Sequence, residues 1–494
     1  MEEIMACTTI LVGRKASYDG STIIARNDDS PTGVFTAKKM LVKERDQMPK
    51  KYRSKISHVE VELPEHSYRY TYMPNVDDYE GIWGASGINE HNVAMTATET
   101  ITSNPRVLGA DPLVHYQPKT KKNKEVKGGI GEEDLVVLVL PYITSAKEGV
   151  LRLGALLEKY GTYESNGIAF SDEDSIWWLE TIGGHHFIAR RVPDDRYVVM
   201  PNQFGLDHFD FDDAYSEQKE FICSKDLKEF MEKNHLDLGL QGAFNPRLAF
   251  GSHDDSDHTY NTPRAWYMGR YFNPNTYKWE GENADYTPES DNIPWSFVPE
   301  RKITIEDVKY ALSSHYQGTA YDPYSKLAGK DFKPLYRPIG ISRTSFLHIS
   351  QIRPYTKKEN AAIEWVAFAS NVFNTLIPVY TNVKTLPKYL SNTTLKVSTD
   401  NFYWASRLLS ALVDPHFQTS IIHIERYQDK TMAKSYEILH RIDEAFEKTG
   451  DMSLLSKGNE ELATMMQEET DQVLSKVLYQ VSCQMKNGFA RSDN

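Results

Sequence analysis

The chain has 494 residues, a formal net charge of -13 and a mean hydropathy of -0.54, with 40% of its residues hydrophobic. This describes a soluble globular protein, with room for two or three average domains or for one large layered domain with a helical appendage. The acidic balance argues against a nucleic-acid surface, and no apolar run approaches the roughly 20 residues that a bilayer helix needs. Three cysteines, Cys7, Cys223 and Cys483, lie far apart, which supports neither a disulfide scaffold nor a CxxC site and makes a reducing cytoplasm the natural compartment.

Met1 to Ala6 is too short for a domain and lacks the basic start and apolar core of a secretory signal, so it reads as a removable cap. Cys7-Thr-Thr-Ile-Leu-Val-Gly13 then reads as a strand, with a hairpin return ending in Arg26-Asn27-Asp28-Asp29 and turn chemistry at Asp19-Gly20. A hairpin centred between Ala16 and Ser17 sets Cys7 opposite Arg26, and directly opposed side chains share a face. Arg26 would favour a thiolate, while Asp29 would orient Arg26 or bind a cationic part of a substrate. If the Ala6-Cys7 bond is cut, the new α-amine, of pKa about 7.7 to 8.0, can serve as the base for its own thiol. On this spacing alone, a buried cysteine on an edge strand is the competing reading.

Further along, Ile82 to Asn89 leads into a buried strand at Asn92 to Glu99. Five lysines between Pro118 and Gly129 mark an exposed loop. Leu135 to Leu140 starts a helical region that Pro141 interrupts, and Ser145 to Glu148 forms a capping box for a helix ending near Gly161. Strands follow at 167–170, 175–180, 186–191 and 196–200, and Asn202 stands at a loop mouth where its amide would face Cys7 or simply serve a turn. His185 and His186 should point to opposite faces, and the polar loop from Gly251 to His258 lacks the spacing of a metal motif, so no metal or cofactor is indicated. The segment from Phe204 to Ile305 reads as long loops anchored by aromatics, with Arg264 a candidate buried bridge to a carboxylate. Strands return at 340–353, 364–368 and 375–380, the last placed at an edge by Pro378, and two amphipathic helices fill the final ninety residues.

Cys7-Thr-Thr-Ile-Leu-Val-Gly, Asp19-Gly-Ser-Thr, Gly81-Ile-Trp-Gly-Ala-Ser-Gly-Ile-Asn89, Ala94-Met-Thr-Ala-Thr-Glu-Thr100, Leu179-Glu-Thr-Ile-Gly-Gly-His-His186, Tyr260-Asn-Thr-Pro-Arg-Ala-Trp266 and Ser313-Ser-His-Tyr-Gln317 span most of the chain. Together they resemble the dipeptidase A family of N-terminal nucleophile cysteine hydrolases, related to choloylglycine hydrolases and secernins. The resemblance implies an α+β fold with a four-layer αββα core over residues 7–400, a propeptide at 1–6 lost by self-cleavage, a helical extension at 401–494, and hydrolysis of dipeptides without a cofactor. It implies active-site positions at Cys7, Arg26, Asp29, Asn202 and Arg264. Glu99 stands where the choloylglycine group has an oxyanion asparagine, and it is expected instead to bind the α-ammonium of a dipeptide. The alternatives are an amidase of the same class acting on non-peptide amides and a catalytically silent, secernin-like interaction protein. Nucleic-acid and membrane partners are not expected, and the sequence leaves open whether the chain is a monomer or a homo-oligomer.

Overall fold

The computed structural model describes residues 7–240, 242–326 and 335–486; the proposed cap, Met1 to Ala6, lies outside the described residues. Two larger antiparallel sheets organise a mixed α+β fold. One has seven strands in the spatial order Ser296–Phe297, Tyr197–Met200, Thr8–Val12, Thr22–Asp29, Thr344–Ile352, Ala362–Phe368 and Ile377–Tyr380. The other has six, ordered Phe221–Cys223, His186–Arg191, Ile176–Ile182, Asn166–Ser171, Ala94–Thr100 and Ser86–Ile88.

Side-chain alternation explains how they stack. Leu11 and Ile24 from the seven-stranded sheet share one core with Ala94, Ala169, Trp178 and Ile182 from the six-stranded sheet. Their neighbours Ile10, Val12, Ile23 and Ala25 face the opposite way and pack with residues of helices Ile305–Leu312, Phe402–Val413, Phe417–Thr449 and Ser453–Ser482. Met95, Ile168, Phe170, Trp177 and Leu179 likewise turn towards helices Glu132–Val139 and Ala146–Tyr160. Gly149 and Gly154 permit the last contact, since a Cβ at either would sit 2.4 Å from Phe170 or 2.3 Å from Phe187.

Most expected elements recur with small boundary changes. Ser145 accepts from the backbone N of Glu148 and Gly161 ends that helix. The strand containing Pro378 is an edge strand, and its exposed backbone is covered by Asn459, which accepts from Tyr380 N at 2.8 Å and donates to Tyr380 O at 2.9 Å. The helical ending is longer than its apolar spacing implied, with helices of 33 and 30 residues and a left-handed Gly450 between them.

The segment from Phe204 to Ile305 differs from expectation, because it contains several short helices and the eleven-residue helix Thr262–Phe272. Asn245-Pro246 and Thr262-Pro263 were the available signals, since proline suits the first helical turn, where no N–H partner is needed. His185 and His186 also differ: both ring Nδ1 atoms lie against Asp111, at 2.8 and 2.7 Å. Strand alternation starts only at His186, and His185 belongs to the preceding turn.

Candidate active site

Cys7 immediately precedes the strand Thr8–Val12 and is fully buried. The hairpin pairs Thr9 with Arg26 and Thr8 with Asn27, so its register is shifted by two residues from the one expected. A shift of two preserves side-chain parity, and Cys7 and Arg26 remain on one face. Arg26 Nη1 donates to Cys7 Sγ at 2.9 Å.

A buried guanidinium needs five acceptors, and Arg26 has five. Besides the thiol, it donates to Thr96 Oγ1 at 2.9 Å and to the carbonyls of Ala85, Ala97 and Thr98 at 3.2, 2.8 and 2.7 Å. Those partners belong to the six-stranded sheet and the segment leading into it, so the side chain ties the two sheets together at the cysteine. Asp28 and Glu132 stand 3.7 and 3.8 Å from Nη1.

The companion carboxylates divide in an unexpected way. Asp28 is the acid on the Arg26 face and pairs with Lys38 at 3.0 Å; against the cost of burial, Lys38 and Arg26 hold its carboxyl below the usual range. Asp29 does not orient Arg26. It accepts from Arg337 at 2.5 Å and from Thr344 at 2.6 Å, and burial raises its pKa despite those partners.

Arg264 sits one turn into the helix Thr262–Phe272. Its Nη1 donates to the backbone carbonyl of Cys7 at 2.5 Å and to Thr8 Oγ1 at 2.7 Å. Nη2 donates to Asn202 Oδ1 at 2.8 Å and Asn261 Oδ1 at 2.6 Å, and Nε to Tyr260 O at 2.7 Å. These are neutral oxygens, and among the described residues no carboxylate lies within 4.0 Å, so Arg264 is not the ion pair expected from sequence. Burial and the neighbouring Arg337 lower its pKa to about 10. Asn202 is fixed from both sides: its N–H reaches Asn261 Oδ1 at 3.1 Å, Asn261 donates back to Asn202 O at 3.1 Å, and Asn202 Nδ2 points to Thr100 O at 3.0 Å.

Glu99 reaches this space because of a bulge. Ala97 pairs with Ile168 but Glu99 pairs with Gly167, one extra residue that rotates the strand. Oε2 accepts from Thr9 Oγ1 at 2.7 Å, whereas Oε1 is buried with no hydrogen-bond partner among the described residues. Burial pushes the Glu99 pKa up to about 8, against the pull of Arg264, Thr9 and Arg26, so the acid is largely neutral at pH 7. Binding an ammonium there would require ionisation as the cation arrives.

The thiol is also neutral. Burial raises the Cys7 pKa well above its ordinary value, outweighing the pull of Arg26, and Glu99, Asp28 and Glu132 push in the same direction as burial. The expected thiolate therefore needs an additional base. Thr9, Asp28, Glu132, Asn261 and Arg337 were not singled out from sequence; only Asp28, of the same parity as Arg26, and Asn261, inside the Tyr-Asn-Thr-Pro-Arg motif, carried a local signal.

Cys7 is thus buried with one guanidinium on its sulfur and a second on its carbonyl. The family model for peptidase family C69 matches residues 6–430, and the chain belongs to this family of N-terminal nucleophile cysteine peptidases. It is 51% identical over 532 aligned positions to a dipeptidase of Bifidobacterium longum, covering 99% of this chain and all of that protein. It is 52% identical to a probable dipeptidase A of Streptococcus pyogenes serotype M3, with 99% and 100% coverage, and 43% identical to dipeptidase A of Lactobacillus helveticus, with 96% coverage of each.

Proposed function

We propose that the protein is a cysteine dipeptidase whose nucleophile is Cys7, exposed as an N-terminal residue by cleavage of the Ala6-Cys7 bond. The observation that carries this reading is the double hold on Cys7, with Arg26 on Sγ and Arg264 on the carbonyl. Membership of family C69 and the full-length similarity to dipeptidases support the same activity. The two facing sheets with helices outside them support a four-layer αββα reading of residues 7–400, with residues 401–494 as a helical extension.

In the intact chain the nitrogen of Cys7 is an amide and cannot accept a proton. Cleavage makes it an amine of pKa about 8, matched to general-base work near neutrality. The amine takes the thiol proton, Sγ attacks the peptide carbonyl carbon, and the new C–S bond forms as the carbonyl oxygen becomes an oxyanion. We assign that oxyanion to the Asn202 amide and a backbone N–H. Collapse breaks the C–N bond, and the ammonium proton passes to the leaving amine. Water, deprotonated by the same α-amine, then attacks the thioester; the C–S bond breaks and the thiol regains its proton. Arg26 positions the sulfur, Arg264 holds Asn202 and Cys7 in register, and Asp29 and Glu99 are assigned to the substrate side.

Intact mass and N-terminal sequencing, followed by turnover of a dipeptide panel, test the reading. A chain that starts at Cys7 and cleaves dipeptides supports it. Activity confined to other amides would favour the amidase alternative, and a chain still starting at Met1 and inert would favour a silent homologue.

A further inference from the structure

A cavity of about 690 Å³ is lined by Tyr260 and Arg337, which bond residues of the Cys7 site: the Tyr260 carbonyl accepts from Arg264, and Arg337 donates to Asp29. The Tyr260 ring lies 5.2 Å from the Arg264 guanidinium, and the Tyr260 hydroxyl accepts from Arg343 Nη2 at 2.7 Å. A continuous chain of contacts therefore runs from the Cys7 carbonyl through Arg264 and Tyr260 to Arg343.

The cavity wall has an excess of positive charge. Arg343 bonds Tyr260 and Thr32 Oγ1, at 3.0 Å, while Arg407 is held by the carbonyls of Ser342 and Thr344 and stacks 4.4 Å over Phe35. Among the described residues neither has a carboxylate within 4.0 Å, and the Nε of each is buried without a partner. Asp414, the acid on this wall, is taken by the Tyr324 hydroxyl at 2.5 Å, and the nearby Asp29 is taken by Arg337. In a chain of net charge -13, two guanidiniums left without carboxylates beside a cavity mark a place for an incoming anion. The rest of the wall includes Phe35, Val372 and Phe373, apolar surface suited to a side chain.

Resting on the dipeptidase reading, we propose that this cavity is the subsite for the C-terminal residue of the substrate, with Arg343 binding its free carboxylate and Arg407 adding positive potential. A peptidase restricted to dipeptides must detect a chain end close to the scissile bond. A fixed cation on the wall of a cavity that shares Tyr260 and Arg337 with the surroundings of the site would do so, since a longer peptide would put an amide where the charge is required. The apolar wall would then favour hydrophobic C-terminal residues.

The test compares kcat/KM for a dipeptide and for its C-terminal amide in the processed enzyme and in Arg343→Gln, Arg343→Lys and Arg407→Gln. The processed enzyme should prefer the free acid by about 10- to 100-fold. Arg343→Gln should collapse that ratio towards one mainly through KM, Arg343→Lys should restore part of it, and Arg407→Gln should reduce it less. Equal turnover of acid and amide by the unaltered enzyme, or equal losses for both substrates in folded Arg343→Gln, overturns the subsite while leaving the dipeptidase reading intact. Failure to cleave any dipeptide removes that reading and the subsite with it. If Arg343→Gln does not fold, an unchanged acid-to-amide ratio in both Arg343→Lys and Arg407→Gln counts against the subsite.

Discussion

Arg26 donates a hydrogen bond to the sulfur of Cys7 at 2.9 Å, yet the thiol stays protonated because burial outweighs that single cation. This balance means that proximity to arginine alone does not make the nucleophile. In the proposed mechanism the α-amine released at Cys7 supplies the base, which would couple processing to activity.

Replacing Cys7 by Ala should therefore lower dipeptide turnover by at least about 10⁴-fold and leave residues 1–6 attached. Mass spectrometry and an activity assay check both parts. A Cys7→Ala protein that keeps its activity would exclude the proposed nucleophile.

Arg26→Lys is expected to fail despite keeping the charge. An ammonium has three donors against the five acceptors now satisfied, and it would leave buried carbonyls from the facing sheet unpaired. Loss of about 3 to 5 kcal/mol in denaturant unfolding is expected, together with a fall in kcat; unchanged values for both would remove Arg26 from this role.

Asn261→Ala tests a residue whose partners are set by the tertiary structure. It removes the clamp that fixes the Asn202 backbone and one acceptor of Arg264, so kcat should fall about 10- to 100-fold with little change in KM. A rise in KM at constant kcat would instead place Asn261 in substrate binding.

Glu99 should leave a signature in stability against pH. Its native pKa, about 8, is above the ordinary 4.5, so the folded state holds the extra proton between these values. Its contribution to stability is complete below about pH 4.5 and is lost as the pH rises through 8, at up to about 1.4 kcal/mol per pH unit. Glu99→Gln should flatten that part of the profile, measured by urea unfolding from pH 5 to 8.5. A wild-type profile identical to that of Glu99→Gln would show that the acid is not held neutral.

Much of the site could be read from the chain because strand side chains repeat every two residues. Cys7 and Arg26 stay on one face even though the true register pairs Thr9 with Arg26. The same parity points to Asp28 rather than Asp29 as the acid beside Arg26. Asn202 and Arg264, 62 residues apart, were visible only as isolated candidates, and their direct hydrogen bond required the loop and helix to meet.

The sequence by itself determined the β-rich Cys7 hairpin, the amphipathic helical ending and the family motifs, since each follows from local periodicity or from a contiguous run of residues. Tertiary structure alone decided that Arg264 binds neutral oxygens, that a one-residue bulge turns Glu99 inward, and that Arg337 takes Asp29. The physical reason is that hydrogen-bond partners and desolvation depend on what other segments bring to a buried side chain. Sequence separation carries no record of that, and the pKa values of Cys7 and Glu99 exist only once the two sheets have closed over them.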